Sequence, residues 1–84
     1  MPAVAVAKRS LSPRARPQLL VALGAQVREQ RREAHVTQRA LAEALGITVA
    51  YVSLIERGLR NPPYTTVVAM AHALGVRPSR LVSS

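Results

Sequence analysis

The sequence predicts an all-α fold: a compact five-helix domain over residues 18–84, preceded by a disordered basic arm over 1–17. Three observations carry that expectation. Fourteen alanines with no phenylalanine and no tryptophan favour closely approaching helices, since Ala has the best helix propensity and little bulk. Apolar residues recur at helical spacing in successive segments. Helix start and stop residues, among them Thr37, Gly46, Thr48, Gly58 and Gly75, separate those segments. Eighty-four residues hold one small core, near the size at which packing alone becomes marginal.

The first helix is expected from Gln18 to Ala34, with Leu20, Leu23, Gly24 and Val27 on one stripe and Pro17 supplying a fitting first turn. The next stripe position is Arg31, a charge where a core residue is due, and it needs a partner. Arg28, Glu29, Arg32 and Glu33 lie mostly off the stripe and read as a solvated, salt-bridge-laced surface. Thr37 then caps "QRALAEAL", about 38–45, which turns Ala40, Leu41, Ala44 and Leu45 inward and ends at Gly46. Only Gly46, Ile47 and Thr48 separate it from a third helix, about 48–57, so the two cross steeply as a helix-turn-helix. On the third helix Tyr51, Val52 and Ile55 face a core, while Ala50, Ser53, Leu54 and Arg57 point away and Val49 sits on the flank. Arg57 is the only charge on that outer face, which is unexpected in so basic a chain. Beyond "LRNPP", the segment "YTTVVAMAHAL" forms a fourth helix with Val67, Met70, Ala71 and Leu74 inward and Gly75 at its end. "RPSRLV" reads as a short fifth helix begun at Pro78. Too short to stand alone, it must dock through Leu81 and Val82 on its own domain or on a second copy.

Twelve Lys plus Arg against four Asp plus Glu give a formal net charge of +8. Lys8, Arg9, Arg14 and Arg16 carry half of the excess, so arm and body are both basic. A polyanion is the natural partner, with solubility as the plainer reading. With no cysteine and only two histidines, His35 and His72, neither a disulfide framework nor a thiolate or clustered metal site is expected. No cofactor is implied, and no paired carboxylates, activated nucleophile or Gly-rich phosphate loop suggests an enzyme. No apolar run approaches the roughly 18 to 20 residues of a membrane span, so the expectation is a soluble, cytoplasmic protein. "MPAVAVAKRSLSPRARP" resembles a transit peptide in its Arg and Ala content, but Pro2, Pro13 and Pro17 discourage an amphipathic helix and favour a disordered arm.

The stretch "TQRALAEALGITVAYVSLIERGLRNP" resembles the Xre-type, lambda repressor-like helix-turn-helix family, and the resemblance extends from Leu23 to about Val82. It rests on Thr37-Gln38, Leu41-Ala42, Gly46, Tyr51-Val52-Ser53, Ile55-Glu56-Arg57-Gly58, Pro62 and the "AHALGV" ending. It implies a structural ion pair between Arg31 and Glu56 that ties the first helix to the third. It implies phosphate contacts for Gln38 and, less directly, for Tyr51, Arg57, Arg60 and Asn61. A helix N-terminus suits an anion on physical grounds, which agrees with the role given to Gln38. Base-reading positions implied likewise are Thr48, Val49, Ala50, Ser53 and Leu54. His35 stands where such proteins often have glycine, and it reads as structural, since histidine can adopt the left-handed conformation at some cost. His72 reads as solvent-facing.

The function expected is a homodimeric, sequence-specific regulator of transcription, of bacterial or phage type, on a near-palindromic double-stranded DNA operator. Leu81 and Val82 are the expected dimer contacts. Restriction-modification controllers, phage repressors and antitoxins are all small members of this kind. The alternative is an interaction protein, an antitoxin that binds a protein toxin and autoregulates its operon. The sparse charge on the third helix fits DNA reading through thymine methyl groups, which need no hydrogen bond.

Overall fold

The structure, a computed structural model, describes residues 15–82. Four α-helices run α1 (Ala15–Glu33), α2 (Gln38–Leu45), α3 (Val49–Glu56) and α4 (Tyr64–Leu74), and a 3₁₀ turn, Pro78–Arg80, stands where a short fifth helix was expected. The arm expected over 1–17 lies, up to Arg14, outside the described residues. Helix α1 begins at Ala15, ahead of Gln18, and Pro17 falls in its first turn, where backbone N–H groups have no helical acceptor to lose.

Each helix start and stop has a local cause. The Thr37 hydroxyl accepts the Ala40 N–H at 3.0 Å and opens α2, and the Thr48 hydroxyl accepts the Tyr51 N–H at 3.0 Å and opens α3. All four helices close on the same motif, a residue at positive φ followed by one whose N–H reaches back to the helix's last turn. His35 (φ 59°) serves α1, with Val36 N–H donating to the Arg31 carbonyl at 3.1 Å; glycines serve the other three. The left-handed position at the end of α1 is thus filled by a residue with a β-carbon.

The core gathers Val27 from α1, Leu41 and Ala42 from α2, Val52 and Ile55 from α3, and Val67, Met70, Ala71 and Leu74 from α4. Leu81 joins them at 1% exposure, which corrects its assignment to a dimer contact: the 3₁₀ turn folds it back onto its own domain, leaving Val82 out at 52%. On α2 the inward residues are Leu41 and Ala42, with Leu45 half-buried, while Ala40 and Ala44 are exposed. The wheel is rotated from the expected phase because α2 packs against both α3 and α4, and its inner edge faces the seam between them. Gly24 and Val27 are buried on α1, together with Gln30, which the stripe did not include. Among the described residues no helix is long and apolar enough to cross a membrane.

Candidate nucleic-acid interface

The inner side of α3 is fixed at both ends. Near its start Val52 is fully buried, and Val49 and Tyr51 are half-buried against the core, so Val49 belongs more to the packed side than to a free flank. Near its end, Gly24 of α1 lies so close to α3 that an added β-carbon would meet the Ile55 and Glu56 carbonyl oxygens. Glycine is required there for close approach of two backbones.

Glu56, the last residue of α3, is buried and joins three elements. Arg31 donates to it twice, Nε to Oε2 at 2.6 Å and Nη2 to Oε1 at 3.1 Å, in a bidentate pair. Arg31 Nη1 also donates to the Val36 carbonyl at 2.9 Å, so the same guanidinium holds the turn into α2. Gln38 Nε2 donates to Glu56 Oε1 at 3.0 Å. A residue expected at a phosphate is therefore also the third member of this network. Sequence spacing gave no sign of that bond, because it depends on the crossing of α2 and α3. No buried side-chain polar atom among the described residues lacks a partner.

The remaining side of α3 is where the expected base-reading residues other than Val49 lie. Thr48 and Ala50 are exposed, Ser53 and Leu54 half-buried, and Arg57 exposed at the C-terminal cap. The Thr48 oxygen already accepts a backbone N–H, which leaves its O–H free to donate to a base-edge acceptor. Arg60 and Asn61 are exposed in the loop after α3, with Arg60 Nη1 donating to the Leu59 carbonyl at 2.9 Å. Tyr51 is half-buried and packs against the core. His72 is exposed.

Two arginines were given no role by the sequence. Arg28 and Arg32, read as part of a salt-bridge-laced surface, make no ion pair; among the described residues the only one is Arg31–Glu56. Instead they line, with Gln38, Ser53 and Arg57, a pocket of about 320 Å³ beside α3. The signal was available in the spacing, since residues 28, 31 and 32 share one helical face.

A short helix locked from behind by a buried ion pair, with its far side open and arginines beside it, defines a DNA-reading helix-turn-helix domain. A helix-turn-helix family profile matches residues 27–81, and the chain belongs to that family, in its Xre/Cro-like branch. The HTH-type transcriptional regulator Rv0474 of Mycobacterium tuberculosis is 45% identical over 53 residues, a match covering 63% of this chain and 38% of that protein's length. The clp gene regulator ClgR of Corynebacterium glutamicum superposes with a TM-score of 0.74 at 36% identity, covering 76% of this chain and 82% of that one. The restriction-modification controller protein C.AhdI of Aeromonas hydrophila superposes with a TM-score of 0.71 at 35% identity, covering 74% and 94%. The matched region is a DNA-binding domain of the helix-turn-helix type, and the chain spans about two-fifths of the length of the Mycobacterium tuberculosis regulator it matches.

Proposed function

We propose that the chain binds a near-palindromic operator as a homodimer, with α3 of each copy in a major groove and half-sites about one helical turn, ~34–36 Å, apart. The observation that carries this reading is the two-sidedness of α3. Its rear is pinned to α1 and α2 through Glu56, while Thr48, Ala50 and Arg57 stay exposed on the other side. Thr48, Ala50, Ser53 and Leu54 meet base edges, Val49 contributes at most its outer methyl, and Gln38, Tyr51, Arg57, Arg60 and Asn61 meet phosphates. Val82 supplies an apolar contact to the second copy, without Leu81.

Among regulators of this kind a controller role is favoured, because C.AhdI is a controller protein and this fold matches 94% of its chain. Selection of bound duplexes from a random pool tests the reading, together with sedimentation of the complex. A two-fold symmetric consensus bound by two copies is expected. An asymmetric or absent consensus, with a monomer at tens of micromolar, would overturn it in favour of the antitoxin alternative, in which the same surface meets a protein.

A further inference from the structure

We propose that residues 19–23, in the N-terminal half of α1, form with Leu59 the face on which a second copy of the chain docks; this deepens the homodimer reading above by naming the surface that holds the two copies together. The five residues are Leu19, Leu20, Val21, Ala22 and Leu23, and at about 100° per residue they point in five directions around the helix. A helix that is apolar all round is a buried one. The chain's own domain covers one side only: Leu20 and Leu23 are half-buried, while Leu19 (56%), Val21 (57%) and Ala22 are exposed.

The same directions turn polar two turns further along α1, so the apolar face has an edge. Where Leu19, Val21 and Ala22 point in one turn, Gln26, Arg28 and Glu29 point after the next two. To the side, the face continues onto the loop after α3. Gly58 lies with its backbone against Val21, close enough that an added β-carbon would stand 2.9 Å from the Val21 Cα and Cγ2. Leu59, next in the chain, is 54% exposed. Of the five large apolar residues exposed among the described residues, Leu19, Val21 and Leu59 thus gather around one turn of α1, and Tyr64 and Val82 are the others.

Area and charge select a second copy as the occupant. With Leu81 in the core, the C-terminal end offers a partner Val82 alone, and one half-exposed valine falls far short of the ~800 Å² that each partner of a stable complex buries. The homodimer therefore needs another apolar surface. A chain of net charge +8 also repels its own copy unless the two meet where charge is absent. Residues 17–27 carry none. Two such segments crossing antiparallel at Ala22, about a two-fold axis, set neutral against neutral and leave Arg28 and Glu29 at the rim. Ala22 and Ala25 are exposed and small, which lets the helix axes approach to about 8 Å.

Sedimentation of the full chain without DNA tests the face, using L19E, A22E and V82E, which change charge equally at exposed positions, with folding checked by circular dichroism. The wild-type chain should dimerise at tens of micromolar. L19E and A22E should each raise the dimer dissociation constant at least about tenfold, the effect of losing one buried apolar contact, and V82E should stay within about threefold. Should L19E not fold, A22E decides alone, since Ala22 faces away from the core. The chain has no cysteine, so A22C and V82C each carry a single thiol. A22C should oxidise to a covalent dimer at least about tenfold faster than V82C, because docked thiols meet at an effective concentration far above that of free chains. Equal effects of A22E and V82E, or equal oxidation rates, would overturn the proposal. A wild-type monomer at tens of micromolar would overturn it too, and if V4D/V6D then made the chain dimerise, the cover would be its own segment around Val4 and Val6. The homodimer reading is decided separately: a two-fold symmetric consensus bound by two copies of a chain that is monomeric without DNA keeps that reading and discards this face.

Discussion

Arg31 and Glu56 stand 25 residues apart in the chain, and their side chains meet at 2.6 Å, with 12% and 3% of their surfaces left exposed. This one contact fixes the end of α3 to α1, and Gln38 brings in α2. Removing either partner strands a charge in a largely dry site, which costs roughly 3–5 kcal/mol where burial is complete and less where one side is wet. Arg31→Ala and Glu56→Ala should each lower stability in a denaturation series, with Glu56→Ala the milder because the stranded guanidinium keeps its Val36 bond and some water. The double variant should lose less than the sum of the two. Strict additivity would mean that the pair does not act as a unit.

Gly24→Ala tests the crossing of α1 and α3. On helix propensity alone the change should stabilise by about 1 kcal/mol. The new β-carbon, however, would stand 2.6 Å from the Glu56 carbonyl oxygen and closer still to that of Ile55, and both are backbone atoms with nowhere to retreat. Overpacking of this kind costs about 1–3 kcal/mol. Net destabilisation is therefore expected by thermal melting, with weakened operator binding because α3 is displaced; a stabilised variant would contradict the close crossing.

His35→Gly should act in the opposite direction. At φ 59° a β-carbon is strained, by about 1–2 kcal/mol in the general case, and glycine removes that strain at the cost of a floppier unfolded chain. A gain of about 0.5–1 kcal/mol should remain, raising Tm by several degrees in a domain of this size. His35→Val should lower Tm. No change in either variant would show that the turn relaxes without penalty.

Much of this was legible in the sequence, for identifiable reasons. Helix α4 carries one apolar stripe, and Val67, Met70, Ala71 and Leu74 are all buried as their spacing requires. The helix ends could be read from Thr37, Thr48, Gly46 and Gly75 because caps are local chemistry. In α2 the phase was not legible: Ala40, Ala42 and Ala44 differ little in bulk from any viewpoint on the wheel, and packing against two helices at once selected Ala42. Leu81 could have covered either its own domain or a second copy, and only the 3₁₀ turn decided between them. The place of Arg28 and Arg32 beside α3 was obscured by Glu29 and Glu33, whose adjacency suggested local pairs; Ser53 and Arg57, which line the same pocket, arrive from a distant part of the chain.

The claim that α3 reads bases through apolar contact is tested most directly by replacing thymine with uracil, one position at a time, in each half-site of the selected operator. Uracil keeps every hydrogen-bonding group and removes only the methyl that Ala50, Leu54 and Val49 are proposed to touch. Equilibrium titration of the full chain should show binding weakened by about 0.5–1.5 kcal/mol at each contacted position, on the scale of one buried methylene, and unchanged elsewhere. Operators that bind with equal affinity whether they carry thymine or uracil at every half-site position would contradict it.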